Sequence, residues 1–177
     1  MPRLFTALEL PERVTNQLAL ARGGVVGARW LEPGDYHVTL RFVGDVDGRT
    51  AHDIAETLGE IKRPGAAVRF EGLSWFGGDE PRAIVARIKA EPALMDLQAE
   101  QERRMRRIGV EPETRKYTPH VTLARLRGVA QRAVADYLAS RGALALEAFA
   151  AERFVLYSAR DGTGGGPYVV EATYPLG

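Results

Sequence analysis

Tyr36-His37-Val38-Thr39-Leu40-Arg41-Phe42-Val43 decides how this chain is read, because its centre returns in the second half as His120-Val121-Thr122-Leu123. The chain has only three histidines, so two of them in the same tetrapeptide point to internal duplication. Residues two apart on a β-strand share a face and neighbours oppose each other. His37, Thr39 and Arg41 therefore fall on one face by parity, and Val38, Leu40 and Phe42 on the other. In the second copy His120 and Thr122 project together, while Val121 and Leu123 take the core side. This alternation marks a half-buried strand with one polar surface. Either tetrapeptide alone would read as a strand histidine without a task; the repetition makes the two a candidate pair.

Outward from these strands, 177 residues with 45% hydrophobic content fit one domain, taken as residues 1–177. Twenty-four basic and 23 acidic residues leave a net charge of +1, so no global attraction to nucleic acid is implied. The basic runs Arg103-Arg104 and Arg106-Arg107 fall on an expected helix and read as a solvated face. The absence of cysteine removes disulfide and thiolate chemistry. The opening residues lack an apolar h-region, and no stretch approaches the ~20 apolar residues of a membrane span. The expectation is a soluble cytoplasmic monomer.

The elements follow in order. Strands are expected at 3–10, 28–31, 67–75, 82–88, 144–150, 152–158 and 168–174, besides the two tetrapeptide strands. Helices are expected at 12–21, 49–61, 92–108 and 131–140. Pro11 suits a first helical turn, and Gly23-Gly24 and Gly109 suit helix stops. Residues 77–81 read as a hairpin turn. Strands and helices alternate similarly in both halves, which predicts an α+β protein of two similar lobes. Each lobe is an antiparallel sheet with helices on its outer face.

The two His-x-Thr-x tetrapeptides resemble those that name the 2H phosphoesterase superfamily. Nearest is its RNA 2′,3′-cyclic phosphodiesterase branch, also described as 2′-5′ RNA ligases. The resemblance covers nearly the whole chain: the strand from Arg3 to Leu10, the run from His37 to Gly44, the run from Pro119 to Arg125, and the closing Leu156-Tyr157-Ser158, Tyr168 and Tyr174-Pro175-Leu176. It implies pseudo-two-fold lobes around a cleft across which the tetrapeptides face each other. It also implies His37 as proton donor, His120 as proton acceptor, a phosphate-binding role for Arg125, and a 2′-phosphomonoester product from RNA ends carrying a 2′,3′-cyclic phosphate.

The residue types suit that chemistry. In-line opening of a cyclic phosphate needs a base for the attacking water and an acid for the departing ribose oxygen, and imidazole can be either near neutral pH. Thr39 and Thr122 can donate to non-bridging oxygens. Arg41 shares the His37 face by parity and is a candidate phosphate ligand. Arg125 lies an odd number of positions from His120 and points away unless the strand bends. Trp30, Tyr36, Phe42 and Tyr117 are candidate base contacts, with Phe42 and Tyr117 foremost. No metal or cofactor is expected, because two histidines without an H-x-x-x-H or H-x-E pattern make no zinc set. His52 reads as a surface residue, and Gly162 to Gly166 as a hairpin loop rather than a phosphate loop. The alternatives are 2′-5′ ligation, which is the same chemistry reversed, and non-catalytic binding of RNA ends.

Overall fold

The computed structural model describes residues 2–159 and 168–177; the glycine-rich run at 162–166 lies outside them. The elements are β1 (Arg3–Glu9), α1 (Glu12–Ala19), β2 (Ala28–Trp30), a 3-10 turn (Pro33–Asp35), β3 (His37–Asp45), α2 (Gly48–Leu58), β4 (Ala66–Val68), β5 (Phe70–Phe76) and β6 (Ala83–Ile88). There follow α3 (Pro92–Arg107), β7 (His120–Leu126), α4 (Gln131–Arg141), β8 (Phe149–Ala151), β9 (Arg153–Ala159) and β10 (Tyr168–Pro175).

Among the described residues, one lobe has the strand order β10-β9-β1-β3 and the other β7-β6-β5, with β2 on the second edge of β7. Every pairing is antiparallel. The expected α+β class and two-lobed plan hold, with an added feature. The first half of the chain keeps β1 and β3 in one lobe and sends β2, β5 and β6 to join β7 in the other, while the second half sends β9 and β10 back to join β1. Thus β9 pairs with β1 and β2 pairs with β7. The lobes are interleaved rather than consecutive.

The helices cover the outer faces where their apolar stripes require it. On α3, Leu94, Leu97, Gln101 and Met105 are buried at helical spacing. Gln101 is the polar member, and its amide oxygen accepts from the buried Thr6 hydroxyl on β1 at 2.5 Å. On α2, Asp47 caps the first turn by accepting from the Thr50 N–H at 2.7 Å, and Ile54 and Leu58 are buried. Tyr174 of β10 donates to the Ala55 carbonyl at 3.0 Å, so α2 and α3 serve the same lobe. In the other lobe Tyr137 of α4 donates to the Ala21 carbonyl just past α1 at 2.7 Å. Two of the four arginines of α3 are matched to acids: Arg104 to Glu100 and Glu60, and Arg106 to Glu102.

Two expected strands differ. The segment 67–75 is broken between β4 and β5, because β4 leaves the main sheet to pair with β8. Of the segment 144–150, only its end from Phe149 is strand. Before it, the Glu147 N–H donates to the Gln17 side chain and its carboxylate pairs with Arg13, so that this backbone is tied to α1.

Candidate active site

The lobes meet along β3 and β7 at one residue pair, Val38 opposite Val121. These are the middle residues of the two His-x-Thr triplets, and both are fully buried. Strand alternation then turns His37, Thr39, His120 and Thr122 to the opposite face. In an antiparallel register centred on the valines, each histidine stands beside the threonine of the other strand. The pseudo-two-fold relation of the lobes passes through this pair, which is why the two motifs converge.

Each ring is fixed in the same way. His37 Nδ1 is 2.8 Å from the Asp35 carbonyl, and His120 Nδ1 is 2.7 Å from the Thr118 carbonyl. A carbonyl can only accept, so Nδ1 carries the proton in both rings and Nε2 is the atom left for exchange. His37 Nε2 lies 3.0 Å from Thr39 Oγ1. Around His37 stand Phe5 at 5.1 Å, Tyr168 at 5.2 Å and Tyr157 at 6.2 Å between ring centroids. His120 has the Phe76 ring edge-on at 4.7 Å. Burial lowers both imidazole pKa values from their ordinary position, against the opposing effect of the Nδ1 carbonyl bonds. Nearby cationic groups lower them further: His120 and Arg125 act on His37, and Arg87 and Arg125 on His120.

Both tetrapeptide strands carry a β-bulge three residues after the histidine. On β3, Ala7 opposes Thr39 and Thr6 opposes Arg41, leaving Leu40 as the extra residue. On β7, Val85 opposes Thr122 and Ile84 opposes Ala124, leaving Leu123 extra. A bulge resets parity, and this overturns two expectations. Arg41 loses the parity it would share with His37: it borders the cavity at Thr39, His120 and Thr122, but its side chain is 4% exposed and donates to the Glu102 carboxylate at 2.5 Å, the Phe42 carbonyl at 2.7 Å and the Glu111 carbonyl at 2.6 Å. Phe42, given core parity by the alternation, is 47% exposed. Arg125 occupies the position on β7 equivalent to Phe42 and is exposed on the cleft side. It lines one cavity with Thr39, His120 and Thr122. The strand does bend there, and the bend brings Arg125 to the histidines.

Of the aromatic candidates, Phe42 and Tyr117 line that cavity. Tyr117 donates to the Thr39 carbonyl at 2.8 Å, tying the loop before β7 to β3, and burial pushes its phenol pKa well up. Tyr36 is buried, and Trp30 packs on Tyr137 at 5.6 Å; both serve packing. His52 is exposed on α2. Among the described residues, no group of three His, Cys, Asp or Glu side chains is placed to hold a metal ion.

The parity reading missed Arg87, which is the cross-strand partner of His120. Its guanidinium lies 5.9 Å from the Phe76 ring centroid. The corresponding neighbour of His37 is Glu9, whose carboxylate is held by Arg153 at 2.8 Å. The two histidines therefore sit in similar geometry with different neighbouring charge. Nothing in the strand pattern of residues 82–88 signals this; it follows from pairing.

Two interleaved antiparallel lobes with paired His-x-Thr strands at their junction define a phosphoesterase of the 2H type. The family model described as LigT like Phosphoesterase matches residues 8–85 and 88–168, and the chain belongs to that family. Among similar proteins, the RNA 2′,3′-cyclic phosphodiesterase of Aeropyrum pernix is 33% identical over 105 residues, spanning 58% of this chain and 60% of that protein. The one from Bacillus subtilis strain 168 is 28% identical over 130 residues, spanning 70% and 71%. Alignment thus reaches about three fifths of the first relative's length. The fold is shared with a solved protein of Thermus thermophilus at a TM-score of 0.83 and 23% identity, covering 98% and 97% of the two chains. It is also shared with Escherichia coli LigT in complex with 3′-AMP at 0.76 and 22%, covering 99% of both. No helix among the described residues is long and apolar enough to cross a membrane.

Proposed function

We propose that the chain acts as one bilobal unit that hydrolyses 2′,3′-cyclic phosphate ends of RNA to 2′-phosphomonoesters, using His37 as general acid and His120 as general base. The observation that carries this is the register of β3 on β7. It turns two histidines, whose Nε2 atoms are left clear of the backbone, to one face, each beside a threonine hydroxyl. Similarity to proteins named RNA 2′,3′-cyclic phosphodiesterase supports the substrate class.

In this reading, His120 Nε2 takes a proton from water as the water oxygen attacks phosphorus. The bond from phosphorus to the ribose 3′ oxygen breaks, and His37 Nε2–H protonates that oxygen. Thr39, Thr122 and the Arg125 guanidinium donate to the non-bridging oxygens as charge gathers on them. Phe42 and Tyr117 take the terminal base. Arg87 beside His120 supports the assignment of roles, because a fixed positive neighbour favours the neutral, proton-accepting ring. The entering phosphate anion opposes the desolvation that lowers the His37 pKa, and so draws in the proton that His37 later gives up. Neither metal nor cofactor is required for these steps.

The test is incubation of a short RNA bearing a 2′,3′-cyclic phosphate, with ³¹P NMR of the product, in buffer with and without EDTA. A 2′-monoester formed at equal rates in both is expected. A 3′-monoester would overturn His37 as donor, and absence of turnover by folded protein would overturn the reading itself.

A further inference from the structure

The cavity beside His120, Thr39 and Thr122 has a volume of about 590 Å3, within the ~300–1,000 Å3 of pockets that hold whole organic ligands. It reaches past His120 and Thr122 to Phe42 and Lys116 on the β3 side and to Phe76 and Arg82 on the β5–β6 side. Arg82 is held at its main chain: its N–H donates to the Phe76 carbonyl at 2.7 Å, and its carbonyl accepts from Leu126 at 2.8 Å. The next residue, Ala83, is the cross-strand partner of Arg125, so Arg82 extends the positive charge at Arg125 along a rigid frame. Lys116 precedes Tyr117, whose hydroxyl is anchored on Thr39.

Among the described residues lining this cavity, one carboxylate, Glu113, is present, and it is already paired with Arg115. Arg104, Arg106 and Arg115 are each matched to a carboxylate. Among the described residues, the side chains of Arg82 and Lys116 enter no ion pair, although both line a cavity and both are exposed. With a chain net charge of only +1, this is a local excess that faces the cleft. Unopposed cations along a groove with aromatic walls are what a single nucleic-acid strand needs.

We infer that this extension binds the RNA strand on the 5′ side of the cyclic phosphate, Arg82 and Lys116 each taking a phosphodiester, so that oligonucleotide ends are preferred to cyclic mononucleotides. The inference rests on the cyclic-phosphodiesterase reading above and adds the length and polarity of its substrate.

The experiment compares kcat/KM on a 2′,3′-cyclic mononucleotide, the same with a 5′-phosphate, and an RNA trimer ending in a 2′,3′-cyclic phosphate. The trimer is expected to be favoured about tenfold at low salt. Two neutralised phosphates correspond to a log–log salt slope of about −1.4, falling to about −0.7 in Arg82→Gln or Lys116→Gln. Each variant should lose most of the trimer's advantage and keep wild-type turnover of the mononucleotide. Anisotropy of a fluorescein-labelled RNA trimer reads the same order of affinities without turnover, so a failure of the hydrolysis reading leaves the strand inference decided. Equal handling of mononucleotide and trimer would overturn it. So would a full gain from the 5′-phosphate alone, or equal losses on both substrates in the variants.

Discussion

Replacing Arg41 with methionine separates a substrate ligand from a structural ion. The Arg41 and Glu102 side chains are 4% and 13% exposed, and Arg41 also satisfies the carbonyls of Phe42 and Glu111. Removing one member of a buried pair leaves the other as an uncompensated charge, at ~3–5 kcal/mol. Glu102 keeps Arg106 and the Glu113 N–H as partners, which places the expected loss near the lower bound, about 3 kcal/mol. For a chain of this size that corresponds to a fall in Tm of roughly 6–12 °C. The assay is thermal and urea unfolding followed by circular dichroism, together with kcat/KM on a cyclic phosphate well below the transition. Activity per folded molecule should stay within about threefold, since the guanidinium is already committed to Glu102 and to the Phe42 and Glu111 carbonyls. Changing Glu102 to leucine as well should restore most of the stability, because an apolar pair leaves no buried charge behind. Burial works against the Glu102 carboxylate, but the bonds from Arg41 and Arg106 outweigh it and hold its pKa below the ordinary 4.5. The wild type therefore has this contribution in full above about pH 4.5 and loses it as pH falls through the lower folded value, a loss absent from the double variant. An Arg41→Met protein with unchanged Tm and a KM raised about tenfold would refute the reasoning and return Arg41 to the substrate.

His37→Ala and His120→Ala should each lower kcat by roughly 10²–10⁴, and the double variant should be little worse than either single. Near wild-type kcat in one single variant would break the two-histidine mechanism. Because both rings have lowered folded pKa values, their contribution to wild-type stability is complete above about pH 6.5 and is lost as pH falls through the folded values. Urea titrations across that window should show a shallower slope in the alanine variants. Arg87→Met should raise the His120 pKa and shift the acid limb of kcat/KM upward, with His37 unmoved. NMR titration of the three imidazoles reads this directly, and Arg87→Lys should behave as wild type. Equal shifts at His37 and His120 would remove Arg87 as the source of their difference.

Much of this protein is legible in its residues because the relevant signals are local. The two triplets His37-Val38-Thr39 and His120-Val121-Thr122 show strand alternation, and their repetition announces paired lobes. The stripe Leu94, Leu97, Gln101 and Met105 marks α3, even including its polar member. These patterns depend only on backbone periods of two and 3.6 residues, which any short window of sequence displays. The placement of Arg41, Phe42 and Arg125 is different. It turns on one extra residue in each strand, Leu40 and Leu123, and both look like ordinary apolar strand residues in their own segments. A bulge exists only relative to the partner strand, so parity counted along one strand cannot contain it. The same is true of Arg87, whose effect on His120 comes from β6–β7 register. Sequence determined which residues could do the chemistry and which short elements carry them. The tertiary structure alone decided which side chains face one another, because strand pairing, not strand periodicity, sets neighbours across a sheet.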